Sequence, residues 1–295
     1  MDFIVVNLAI TVRKKGISLP FQLFKPIREN FKLAFQEAIG CIDDNGHCLN
    51  GDNCLCKKSF GQLLSSNREA VRRYQKPPLP FVFDIPVLDK PNPPEIELGL
   101  VLVGTAMNDL TTYIAALQRL FDGSRRGLSG FELVSIESKS GMGDRKLLFK
   151  SDGFIDLSLL SLISAEDIKD AFKITRDISF NFITPVRILH NGRALQKGVP
   201  FNILMGGLFR RISSLAFYYS KEMDEDFKWL VKQSQDIELI ESDLLWENFG
   251  GSFQGLTGKM RFEGDLTDFM PFIKLGELLH MGKGATYGMG QYFLS

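Results

Sequence analysis

Residues 280–290 place four glycines (Gly282, Gly284, Gly288 and Gly290), Lys283 and His280 between a helical pattern and a last short apolar run at 291–294. That order constrains the fold. A dinucleotide-binding loop follows a strand and opens a helix, so that the helix N-terminus faces the pyrophosphate. Here the helical pattern comes first, at 265–281, with Phe269, Phe272, Ile273 and Leu279 on one face, and Gly282 suits the position just past a helix end. The residues after the glycines suffice only for a strand, so neither a dinucleotide fold nor a P-loop is accommodated. Two readings remain. Glycine lets backbone N–H groups and a neighbouring cation approach a phosphate closely, or the glycines simply make a tight helix-to-strand connection.

The same order of elements occurs twice. In the first half, alternation at 3–12 predicts a strand. A helix over 26–39 has Pro26 in its first turn, Gly40 at its end, and Ile27, Phe31, Ala34, Phe35 and Ala38 on one face. Strands are predicted at 81–87 and 95–104, a helix at 108–121, and further strands at 131–138 and 146–150. In the second half, 178–189 reads as a strand turning at Asn191-Gly192, and 201–219 as a helix with Leu204, Leu208, Ile212, Leu215 and Tyr219 at helical spacing. Residues 239–247 and 257–263 read as strands. Each half is approximately strand, helix, two strands, helix, strand, the ferredoxin-like order, with 146–150 closing the first half. The expected fold is therefore α+β, with two tandem ferredoxin-like (RRM-like) domains, 1–172 and 173–295. Both second helices run into a loop of glycines and cations: Arg125, Arg126, Gly127 and Gly130 in the first domain, and Lys283 with its glycines in the second.

Thirty-five Lys and Arg balance thirty-five Asp and Glu. No global field attracts a polyanion, and any nucleic-acid site must be a local patch. No apolar run approaches the roughly 20 residues of a membrane span, and no signal-peptide pattern opens the sequence, so a cytoplasmic location without membrane partners is expected.

All four cysteines, Cys41, Cys48, Cys54 and Cys56, fall in one short insertion of the first domain, with His47 among them. In a cytoplasmic chain this pattern has two readings, a loop of reduced thiols or a structural zinc site. The spacing is not the paired C-x-x-C form, and the C-x-C at Cys54 and Cys56 is awkward for one tetrahedral ion.

The residues that carry a family resemblance are Thr184-Pro185-Val186-Arg187, the helix with Leu208-Phe209-Arg210-Arg211-Ile212-Ser213, Trp246, Gly264-Asp265-Leu266, and the run from Leu275 to Gly290. Together they resemble the CRISPR repeat-processing endoribonucleases of the RAMP superfamily. The resemblance covers most of 176–295. It is looser in the first half, through the cysteine loop and the Gly104-Thr105-Ala106 strand end. It implies tandem ferredoxin-like domains and metal-independent cutting of precursor CRISPR RNA within each repeat. CRISPR repeat RNA is the implied partner, with delivery to other effector-complex subunits. A catalytically silent RNA-binding or scaffolding subunit is the alternative, and a homodimer is compatible with either.

The implied reaction is attack of an RNA 2′-OH on its neighbouring phosphate, leaving a 2′,3′-cyclic phosphate and a 5′-OH. It needs a base, an acid and a cation. His280, at a helix C-terminus where the dipole favours its protonated form, is the first candidate for acid or base, with Lys283 as charge stabiliser. The other reading of His280 is a helix cap or loop holder. The family's catalytic histidine usually lies in the first domain near its first helix, where this chain offers only His47, as catalyst, metal ligand or exposed side chain. His190 sits beside the predicted turn. Arg187, Arg210, Arg211, Arg125, Arg126, Lys283, Gly282, Gly284, Gly288 and Gly290 are the candidate RNA contacts, with Arg210 and Arg211 expected to point away from their helix's apolar face.

Overall fold

The structure, a computed structural model, describes residues 3–14, 23–43, 48–74, 76–87, 94–122, 128, 130–170, 176–250 and 253–295. The chain divides into two compact units, Ile4–Ile163 and Ser164–Ser295, with Phe3 joining the second.

The first unit contains strands β1 (Ile4–Lys14), β2 (Phe81–Asp84), β3 (Glu95–Val103), β4 (Phe131–Lys139) and β5 (Arg145–Lys150). Its helices are α1 (Phe24–Ala38), α2 (Leu55–Phe60), α3 (Arg68–Tyr74) and α4 (Leu110–Leu120). The strands lie in the order β2-β3-β1-β4-β5, every neighbour antiparallel. Removing β5 leaves the ferredoxin-like order. The period-2 set Val6, Leu8, Ile10 and Val12 makes β1 a buried central strand. Phe31 and Phe35 of α1 meet Phe60, Phe81, Phe83 and Tyr113 at ring-centroid distances of 4.8–6.3 Å, mostly edge-on. This aromatic cluster fixes α1, and with it the cysteine segment that follows.

Strand β6 (Ile163–Ser164) and helix α5 (Ala165–Asp170) lie at the junction. The second unit then runs β7 (Asp177–Val186), β8 (Leu189–His190), β9 (Arg193–Ala194), α6 (Phe201–Tyr219), α7 (Phe227–Gln233), β10 (Glu238–Asn248), β11 (Gln254–Glu263), α8 (Met270–Leu279) and β12 (Tyr292–Leu294). Its main sheet has the order β10-β11-β7-β12, again antiparallel throughout. Position by position this is the order β2-β3-β1-β4 of the first unit, so both units are ferredoxin-like, as the doubled sequence pattern predicts. Phe201 and Phe209 of α6 pack on Phe262, Phe269 and Phe272 at 5.1–6.4 Å. That packing seats α6 and α8 side by side.

Two predicted elements are revised. The 265–281 helix is only Met270–Leu279. The Asp265 carboxylate accepts the N–H and hydroxyl of Thr267 at 3.1 and 2.7 Å, a local turn that competes with helix, and Pro271 suits the first helical turn. At the other end His280, not Gly282, leaves the helix, with φ +56° and ψ 172°. The predicted strand 178–189 breaks after Val186, and Leu189–His190 instead pairs with Arg193–Ala194 across Asn191 (φ +50°) and Gly192 (φ +77°). Two successive positive φ values are what a two-residue hairpin turn requires. No helix among the described residues is long and apolar enough to cross a membrane.

Candidate functional site

The glycine-rich loop is stitched to β7. Met281 N–H donates to the Gly290 carbonyl at 3.1 Å, Gly290 N–H to Pro185 at 3.1 Å, and Lys283 N–H to Arg187 at 3.0 Å. The buried Thr184 hydroxyl donates to the Gly288 carbonyl at 2.7 Å and accepts from Gln291 N–H at 2.8 Å. Gly282, Gly284, Gly288 and Gly290 all have positive φ, between +66° and +90°. At Gly290 a Cβ would be driven into the Met281 carbonyl, and at Gly282 it would lie 2.8 Å from the Arg187 oxygen. Only glycine permits this close approach of loop to strand.

Exposure then divides the loop. Gly282, Lys283 and Gly284 are exposed, whereas Gly288 and Gly290 are buried with Ala285, Thr286 and Met289. The outer three residues form a tip. Among the described residues, the N–H groups of Gly282 and Gly284 donate to no protein acceptor. The tip thus offers two backbone donors and an ammonium to an anion, while Gly288 and Gly290 shape it from beneath.

Beneath the tip, His280 is 1% exposed. Burial, and then the charge of Arg211, pull its pKa down to about 3 against a backbone hydrogen bond with Ala285. Its ring is therefore neutral near pH 7, and the expectation of a protonated imidazole is corrected: desolvation outweighs the helix dipole. Nδ1 is buried without a hydrogen-bond partner.

The two adjacent arginines separate. Arg210 is exposed. Arg211 turns inward, its Nε donating to the Leu279 carbonyl at 2.8 Å, with Nη2 buried and unpartnered. Burial lowers its pKa to about 10, which leaves it charged at neutral pH. The expectation that both point away from the apolar face therefore fails for Arg211. It lies three residues after Leu208 and four before Leu215, on the helix's buried stripe, a spacing visible in the sequence. Arg187, one residue past β7, is half-buried with Nε buried and unpartnered, and its own carbonyl accepts the Lys283 N–H.

His190 is exposed in the β8–β9 hairpin, its Nε2 3.3 Å from Asn191 Nδ2. His47, Arg125 and Arg126 lie outside the described residues. Cys41, Cys48 and Cys54 bring their sulfur atoms within 4.8 Å of one another, and Cys56 is not part of that group. Thr184 and Tyr292 emerge as supports that residue chemistry alone does not single out. The Tyr292 hydroxyl donates to the Ile273 carbonyl, a reach that the absent side chain of Gly276 leaves open.

Residues 180–292 match the family model of the CRISPR-associated endoribonuclease Cas6, and residues 1–158 match a second family model described as an N-terminal domain. No curated protein matches the chain. Among solved structures, the chain is similar to the Cas6 (TTHB231) product complex, with TM-score 0.60, 15% identity, and coverage of 99% of this chain and 100% of that one. Thermus thermophilus Cas6 (TTHB231) itself gives TM-score 0.56 at 17% identity, with full coverage of both chains. A partial Cas6-RT-Cas1–Cas2 complex gives TM-score 0.59 at 13% identity; all of this chain is covered, and it spans 46% of the length of that one. At such identities these likenesses are of fold, and they agree with the tandem ferredoxin-like units. The match over β7 to β12 makes the second unit similar to the CRISPR-associated endoribonuclease Cas6 family, and the whole chain shares the fold of solved Cas6 structures.

Proposed function

We propose that the protein is a metal-independent endoribonuclease that cuts precursor CRISPR RNA within its repeats to release guide RNAs. The observation that carries this reading is the exposed Gly282-Lys283-Gly284 tip, with two unengaged N–H groups and a cation held beside the end of β7, in a unit that matches the Cas6 family model. Fixed donors of this kind stabilise charge developing on phosphoryl oxygens and cost little reorganisation during reaction. The RNA supplies its own nucleophile: the 2′-OH gives up its proton to a base as its oxygen attacks the adjacent phosphorus, the bond to the 5′ oxygen breaks, and that oxygen takes a proton. Lys283 stabilises the charge. His280, neutral and buried, holds the loop in place, and proton transfer falls to His47. Arg210 and Arg187 extend the phosphate track. Any metal held by the cysteines takes no part in this chemistry. Repeat RNA is the partner, and by analogy with relatives whose structures are product and Cas1–Cas2 complexes, so are other CRISPR proteins.

The burial of His280 and the exposure of His190 favour a second reading, a catalytically silent RNA-binding subunit of the same family. One experiment separates the two: incubation with cognate repeat RNA in excess EDTA, beside the same RNA carrying a 2′-deoxy nucleotide at the cut. Cleavage of the first to a cyclic phosphate, with none of the second, supports the enzyme. Tight binding without cleavage at any pH supports the silent subunit.

A further inference from the structure

The cysteine segment of the first unit is built from three successive turns, each of which delivers one sulfur. Two residues past the end of α1, Gly40, with φ +59°, turns the chain ahead of Cys41, which is fully buried. Ile42 and Cys48 form an antiparallel bridge, closed by Leu49 N–H donating to the Cys41 carbonyl at 2.7 Å, which returns Cys48 to Cys41. Gly51, with φ +57°, then starts a single turn at Gly51–Asn53 that sets Cys54 just ahead of α2. The three sulfurs converge within 4.8 Å, and none is in a disulfide.

We propose that Cys41, Cys48 and Cys54 form a tris-thiolate site for a soft divalent cation, zinc in the cell. Tetrahedral thiolate ligation at about 2.3 Å sets neighbouring sulfurs roughly 3.8 Å apart, so the side chains need close by at most about 1 Å. Ordinary χ1 adjustment supplies that. Cys56 lies beside the group as a hydrogen-bond neighbour of Cys41, but it falls outside the set of sulfurs that all lie within 4.8 Å of one another, and the proposal leaves it out. On binding, each of the three thiols loses its proton to solvent and no electrons move.

The site lies wholly in the first unit and is independent of the RNA-cleavage reading.

The full-length chain, purified under reducing conditions without chelator, is expected to carry about one zinc per chain by elemental analysis, released when the thiols are titrated with an organomercurial. Reconstitution with Co²⁺ alone adds a readout unrelated to activity, a near-ultraviolet thiolate-to-cobalt band whose intensity counts the sulfurs. Cys48→Ser, at the half-buried member, is expected to lose about one third of that band and to weaken zinc at least roughly tenfold. Cys56→Ala is expected to keep both. Folded wild-type protein with neither zinc nor a thiolate–cobalt band overturns the proposal. So does a Cys56→Ala loss equal to that of Cys48→Ser. Should Cys48→Ser fail to fold, the wild-type band intensity decides between three sulfurs and none.

Discussion

Arg211 Nε donates to the main-chain carbonyl of Leu279 at 2.8 Å, so a guanidinium on α6 closes the last turn of α8. A cation at a helix C-terminus satisfies an orphan carbonyl and opposes the dipole. Arg211→Met is expected to lower stability by about 1–3 kcal/mol in urea unfolding. Arg210→Ala, one residue away and exposed, is expected to leave stability unchanged while reducing the salt slope of RNA binding by about one. Equal destabilisation by the two variants would contradict the inward placement of Arg211.

His280 makes stability depend on pH. Its folded pKa of about 3 lies below the ordinary 6.5, so the unfolded chain binds the proton first. Stability is therefore complete above pH 6.5 and declines as the pH falls from 6.5 towards 3, by up to about 1.4 kcal/mol per pH unit from this group. His280→Asn, which tolerates the positive φ, is expected to flatten the profile. Its single-turnover cleavage rate is expected to stay within about tenfold of wild type, less than the loss that follows removal of a general acid or base. A hundredfold loss with an intact fold would restore His280 as a catalyst.

Thr184 is the buried clasp between β7 and the loop, serving as donor to Gly288 and acceptor from Gln291. Thr184→Val keeps the shape and strands both groups, at a cost of about 1–3 kcal/mol. Calorimetry should show a lower Tm, and amide exchange of Gln291 should quicken most.

Gly290→Ala and Lys283→Ala test the two levels of the loop. The first places a methyl on the Met281 carbonyl and is expected to destabilise the second unit. The second removes an exposed ammonium, and is expected to leave Tm within about 1 °C while cutting repeat-RNA cleavage by roughly tenfold or more. Unimpaired cleavage by Lys283→Ala would remove the tip from the chemistry.

Much of this molecule is legible in its sequence because local signals and sheet order agree. Period-2 alternation in β1, the helical stripe of α6 and the Asn191-Gly192 turn each report one short-range preference, and the doubled order of elements joins them. The residues that escaped are those whose role is set by distant partners. Arg211 reads as surface charge until Leu279, sixty-eight residues on, comes beside it. His280 reads as a dipole-stabilised cation because its desolvation depends on α6 and on the folded loop. The shortening of α8 was foreshadowed by Asp265, Thr267 and Pro271, but the apolar periodicity through Phe269 masked them.

Because the loop is tied to Thr184 and Pro185 of β7 and to Arg187 just past it, its ordering entropy is spent when the chain folds rather than when a ligand arrives. A strand of RNA meeting this tip docks onto a surface already set. Variants of the tip should therefore differ chiefly in how long a complex lasts, not in how fast it forms.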